Sequence, residues 1–136
     1  MKNIRIKKAF VTAIALSGVI LNAMYGASLL SKFFDPQSES AIREILISAI
    51  ILEFSWALLL LWVAIKPFAG RHILLFTVIP VLSGNFMHSF SQHIDSTLSY
   101  GALVSNSIFG LFYAGLYVVA YHLVKTDAIK ALPTEN

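Results

Sequence analysis

The sequence predicts an all-α, polytopic membrane protein, a bundle of four transmembrane helices, and three observations carry that expectation. Only 12% of the 136 residues are charged, where a soluble domain carries about 25%. Hydrophobic residues make up 57% of the chain, and the mean hydropathy is +0.76. The apolar residues fall in several long blocks rather than one, and about 20 residues at about 1.5 Å rise each suffice to cross a hydrocarbon core. The spans fall at residues 9–31, 45–65, 73–91 and 98–124, and a single integral membrane domain occupies residues 1–136.

The first span is preceded by MKNIRIKK, which places Lys2, Arg5, Lys7 and Lys8 before the apolar block. A signal peptidase needs small residues one and three positions before its cut, but Tyr25 precedes Ala27 and Leu21 precedes Ala23 at that spacing. The block therefore reads as an uncleaved helix with a cytoplasmic N-terminus. Residues 32–44 form a polar external connection, with Pro36 as breaker and Ser38 or Ser40 as a cap for the second span.

The second span, ILISAIILEFSWALLLLWVAI, has Glu53 close to its middle and Trp62 near its cytoplasmic end, where indole rings favour the interface. A short basic turn from Lys66 to His72 comes next, in which Pro67 stops one helix and Gly70 permits the reversal. Pro80 and Gly84 interrupt the third span and are expected to kink it. Residues 92–97 make an outer turn, and the fourth span contains no Asp, Glu, Lys or Arg.

Charge sets the orientation. Lys2, Arg5, Lys7, Lys8, Lys66, Arg71, Lys125 and Lys130 fall on one side, against Lys32 and Arg43 on the other. This positive-inside bias puts both termini in the cytoplasm of a multi-pass protein, expected in the inner membrane of a bacterium. The net charge of +3 comes from cations at the ends of apolar blocks, so it speaks for orientation and not for nucleic acid. With no cysteine, the chain has no disulfide, thiolate metal site or thiol–disulfide redox chemistry, which excludes disulfide oxidases of similar size.

A carboxyl group deep in hydrocarbon costs at least a few kcal/mol unless it is neutral, paired or facing a polar interior, and it marks a functional site by default. Each span supplies companions for Glu53 at similar depth: Asn22 and Tyr25 from the first, Asn85 and His88 from the third, Ser105 and Asn106 from the fourth. Helical spacing groups them into stripes, with Gly18 and Gly26 flanking Asn22 at four residues, and with Asn106, Gly110, Tyr113 and Tyr117 in line. On the second span Glu53 shares a face with Trp56 and Leu60. Uncharged polar residues in membrane bundles commonly hold helices together, and Asn22, Asn106 and the serines read first in that way. Glu53 is tolerable either protonated, donating to Asn or His, or sharing a proton with His88.

Other signals are weaker. His88 and His93 are five apart and so point about 140° apart on a helix, a poor metal pair. His72 and His122 lie near the opposite side, which disfavours a haem held by two histidines. No metal and no cofactor is expected. Tyr113, Tyr117 and Tyr121 read as packing and interface anchoring, and the cluster of Lys66, Arg71, His72, His122 and Lys125 as positive-inside anchoring before any anionic-lipid site. No phosphate-loop, dinucleotide, serine-hydrolase or zinc-protease pattern occurs.

In its second span, the Lys66-Pro67…Arg71 turn and its third span, the chain resembles the small four-helix bacterial membrane proteins grouped around the DoxX-like and BphX-like families. The resemblance covers the architecture and this turn. It implies a bundle of similar length and, from some members, an accessory role in membrane oxidoreductases.

The leading expectation is a pocket in the outer half of the bundle that binds a lipid-soluble or amphipathic small molecule, lipid or quinone-like, in a chain that works alone, as a homo-oligomer or as an accessory subunit. Glu53 is its polar anchor, His88 and Asn85 are partners, Trp56 is an apolar wall, and Asn22, Tyr25 and Asn106 complete the lining. Three alternatives stand beside it: a proton-coupled small transporter using Glu53, an isomerase or cyclase with Glu53 and His88 as an acid–base pair, and a structural or assembly protein.

Overall fold

A computed structural model of the chain describes residues 2–36, 40–94 and 96–130, with side chains described at all of these except 2, 3, 40, 41, 85, 88, 91 and 126–130. Every regular element among the described residues is a helix: α1 (Lys2–Phe33), α2 (Ser40–Ile65), α3 (Arg71–Ile94) and α4 (Tyr100–Lys130). Three of them hold stretches long and apolar enough to cross a membrane, Ile4–Phe33, Ile42–Ile65 and Tyr100–Lys125. Among the described side chains, α3 holds the apolar stretch Arg71–Gly84, which overlaps the first part of the span expected at 73–91.

The helices run past the apolar blocks. α1 begins at Lys2, and α2 begins at Ser40, so the polar connection expected over 32–44 shrinks to the segment between Phe33 and Ser40. Of the two expected caps for α2, Ser38 and the Ser40 side chain lie outside the described residues. Arg43 donates through Nη2 to the Asp35 carbonyl at 3.2 Å, tying the start of α2 back to the loop. α4 has its own cap: the Ser99 hydroxyl accepts the Ala102 amide at 3.3 Å, satisfying a donor that the first helical turn leaves open.

Large apolar side chains cover the outside of the bundle as well as its core. Ile45, Ile51, Leu58, Phe76, Ile108 and Phe112 stand exposed on the outside, while Thr77 and Ser89 are buried. The tightest packing lies at the end that carries both termini, where Val11, Leu60, Val63, Leu74, Tyr117, Ala120 and Val124 form one cluster. At this end Gly70 works by close approach: none of the described glycines has a positive φ, and a Cβ at 70 would stand 2.8 Å from Val63 Cγ2. The conformational freedom expected of Gly70 is not what the turn uses. Pro80 sits inside α3, which remains a continuous helix through it.

α1 packs chiefly on α2 and α3 on α4, with α1 and α4 joining the two pairs and the α2–α3 seam the loosest of the four. Hydrophobic burial does not drive association between helices in lipid, so hydrogen bonds across the seams matter more, at about 0.6–2 kcal/mol each. Each seam has one. Thr12 Oγ1 donates to the Ala64 carbonyl at 3.1 Å between α1 and α2, and Trp56 Nε1 donates to Thr77 Oγ1 at 3.2 Å between α2 and α3. Asn106 Nδ2 donates to Ser89 Oγ at 3.4 Å between α3 and α4, and Ser17 and Tyr113 share a hydrogen bond of 2.7 Å between α1 and α4.

Candidate functional site

Above the packed end, the four helices diverge around a cavity of about 360 Å³. α1 contributes Leu21, Asn22 and Tyr25; α2 contributes Glu53 and Trp56, one turn apart. α3 contributes Thr77, Pro80, Val81 and Gly84, whose offsets of zero, three, four and seven trace one helical face. Phe109, Gly110, Tyr113 and Tyr117 close it from α4.

The floor is tight because of Gly18. A Cβ there would overlap the Tyr117 hydroxyl and come within 2.7 Å of Leu60 Cδ1, so any larger residue requires the ends of these two buried side chains to shift. Asn22, one turn on, donates through Nδ2 to the Gly18 carbonyl at 2.7 Å. Its bond runs within its own helix rather than across a seam, which leaves the amide facing the cavity instead of serving as the glue expected of it.

The hydroxyls at the floor form a chain with a defined direction. Ser17 Oγ donates to the Ile14 carbonyl at 2.8 Å, so its 2.7 Å contact with Tyr113 must be donated by the tyrosine. Tyr117 in turn donates to Tyr113 at 3.4 Å. Both tyrosine protons are thereby committed, and the ring planes stand at 88° with centroids 5.2 Å apart. Thr77 is likewise committed, donating to the Ile73 carbonyl at 2.7 Å while accepting from Trp56.

Glu53 stands apart from these pairings. It is partly buried, its Cβ lies 3.4 Å from where a Cβ on Gly26 would stand, and among the described residues no hydrogen bond or ion pair reaches its carboxyl group. Pro80 adds a second acceptor nearby. It has no amide proton, so the Phe76 carbonyl loses its helical i+4 donor.

A second void, a groove of about 370 Å³, lies on the other side of the same residues, along the α2–α3 seam. Asn22, Glu53, Trp56 and Pro80 line both spaces. Leu52, Phe76 and Ile79, which complete the groove, are each at least 60% exposed, so it opens onto the apolar outer surface.

Of the residues singled out in the sequence, Glu53, Trp56, Asn22 and Tyr25 come together at this cavity. Asn106 lies outside it, bonded to buried Ser89. The side chains of Asn85 and His88 lie outside the described residues. Tyr113 and Tyr117, read in the sequence as packing residues, pack and line the cavity together. Thr77, Val81 and Phe109 escaped sequence reading, although Thr77, Pro80, Val81 and Gly84 form a stripe containing the first polar side chain of α3 beyond the basic turn.

Among the described residues no group of three or more His, Asp or Glu is placed to hold a metal ion. His93 is engaged in the outer turn, where its Nδ1 donates to the Leu98 carbonyl at 2.9 Å. Comparison with family models, with curated proteins and with solved structures finds no match to this chain.

Proposed function

We propose that the chain is a four-span membrane protein that binds a lipid-soluble or amphipathic small molecule in the cavity between its helices, with Glu53 as polar anchor and Trp56 as apolar wall. The observation that carries the reading is the Glu53 carboxyl, which borders a cavity of about 360 Å³ without a partner among the described residues. A polar group placed so deep is costly unless something satisfies it, and cavities of about 300–1,000 Å³ with few polar groups are the usual form of small-molecule sites.

Two features support α3 as the fourth span. Its 24 residues reach about 36 Å at the helical rise, enough to cross the hydrocarbon. Phe86, Met87, Phe90 and Ile94 stand exposed beyond Gly84, so the polar half of its sequence still offers an apolar outer face. An up-and-down bundle then puts both termini and the Lys66 to Arg71 turn on one side, the side of eight of the ten Lys and Arg residues. That side is cytoplasmic by the positive-inside rule.

Native mass spectrometry of protein released from detergent tests the reading. Wild type is expected to carry an adduct that is absent from Glu53→Gln and from Gly84→Leu, which fills the cavity from a position where a Cβ meets nothing within 4 Å. Bare protein with freely exchanging lipid in all three spectra overturns it.

A further inference from the structure

The free hydrogen-bonding capacity of the two voids is biased toward acceptors. The protons of Trp56, Thr77, Tyr113 and Tyr117 are all committed within the protein. What remains is the Glu53 carboxyl, the lone pairs of Tyr113 and Tyr117, the Phe76 carbonyl released by Pro80, and at Asn22 one amide proton beside the Oδ1 acceptor. Among the described residues, neither void is lined by Lys, Arg or His. The aromatic faces of Trp56, Phe109 and Tyr113 complete the wall, and such faces attract cations.

We propose that the two voids form one site for a single-chain amphiphile with an ammonium head, the head held at Glu53 in the inner cavity and the apolar chain leaving through the α2–α3 seam into the bilayer. The proposal rests on the ligand-binding reading above and names its ligand. An ammonium supplies donors to a lining richer in acceptors, and the positive charge that the described lining residues do not carry. A carboxylate or phosphate head would meet an acid and several acceptors, with no cation among the described residues to hold it. The chain has a route out because Glu53, Trp56, Asn22 and Pro80 belong to both voids, and because Leu52, Phe76 and Ile79 carry the groove to the outer surface. The α2–α3 seam is also the loosest of the four, so lateral entry disturbs the least packing.

The test uses the emission of Trp56 in full-length protein in dodecyl maltoside micelles, with Trp62→Phe removing the other tryptophan. Dodecylamine, dodecanol and dodecanoate share a chain and differ in the head. Dodecylamine is expected to shift the emission saturably with a half-saturation at least tenfold below that of dodecanol, with no saturation by dodecanoate. Glu53→Gln is expected to abolish the tenfold preference while the protein stays folded.

Equal half-saturation for amine and alcohol, or a preference that survives Glu53→Gln, overturns the ammonium assignment and leaves cavity binding standing. Absence of saturation by every probe, with no change on Gly84→Leu, overturns both.

Discussion

Trp56 Nε1 donates to Thr77 Oγ1 across 3.2 Å and so pins the loosest seam of the bundle at the height where the inner cavity meets the outer groove. The same indole is a wall of both spaces. A single hydrogen bond thus couples the cohesion of α2 and α3 to the shape of the site.

Thr77→Val keeps the side-chain volume and removes the acceptor of the Trp56 proton. It is expected to lower stability by about 0.6–2 kcal/mol, the range measured for interhelical hydrogen bonds in membranes. Unfolding in mixed micelles checks the loss, and a shift in Trp56 emission checks its origin. Unchanged stability and unchanged emission would show that the seam is held by packing alone.

Glu53→Gln separates a ligand anchor from structural glue. No hydrogen bond or ion pair among the described residues depends on the carboxyl group, so the isosteric amide is expected to leave stability within about 0.5 kcal/mol of wild type or to raise it. A protein that uses Glu53 only to hold helices together would lose stability on this substitution and keep every binding property. Unfolding and ligand titration on the same preparation distinguish the two.

How much of this site is legible in the sequence depends on which physical signal places each residue. The Glu53 position and its shared face with Trp56 and Leu60 come from length, depth and helical spacing, and those residues do lie along one side of α2, with Leu60 in the core and the other two at the cavity. The stripe of Gly18, Asn22 and Gly26 is legible for the same reason, since small residues at four-residue spacing mark a close approach. Spacing says nothing about which helix stands opposite. That is why Asn106 groups with Asn22 by depth, although it bonds to Ser89 at a different place. It is also why Thr77, a lone hydroxyl in an apolar run, carries no signal until α2 brings an indole to it. Composition alone could not settle α3, whose polar half is flanked by the exposed side chains of Phe86, Met87 and Phe90.

The two glycines at opposite ends of the cavity are expected to respond in opposite ways. Gly18→Ala forces a Cβ onto the Tyr117 hydroxyl and Leu60, and overpacking of this kind costs about 1–3 kcal/mol. At Gly84 a Cβ meets nothing within 4 Å, and Gly84→Ala gains helix propensity of up to about 1 kcal/mol. Thermal unfolding in detergent reads both. A neutral Gly18→Ala would mean that α1 and α4 separate at low cost, and the floor of the cavity would then not be fixed.

The hydroxyl chain makes the last prediction directional. Because Ser17 gives its proton to Ile14, the order runs from Tyr117 to Tyr113 to Ser17, and Tyr113 is the member that both donates and accepts. Tyr117→Phe removes only the first donor and leaves the Tyr113 to Ser17 link between α4 and α1 intact. Tyr113→Phe breaks that link and strands the hydroxyl of Tyr117, a fully buried residue, without its acceptor. An unsatisfied buried polar group costs about 1–3 kcal/mol, whereas removing a hydrogen-bonding group outright costs less. Tyr113→Phe is therefore expected to be the more destabilising of the two, and the double substitution to cost less than the sum of the singles. A double-mutant cycle measured by unfolding in mixed micelles decides it, and strict additivity would show that the two hydroxyls do not act as one chain.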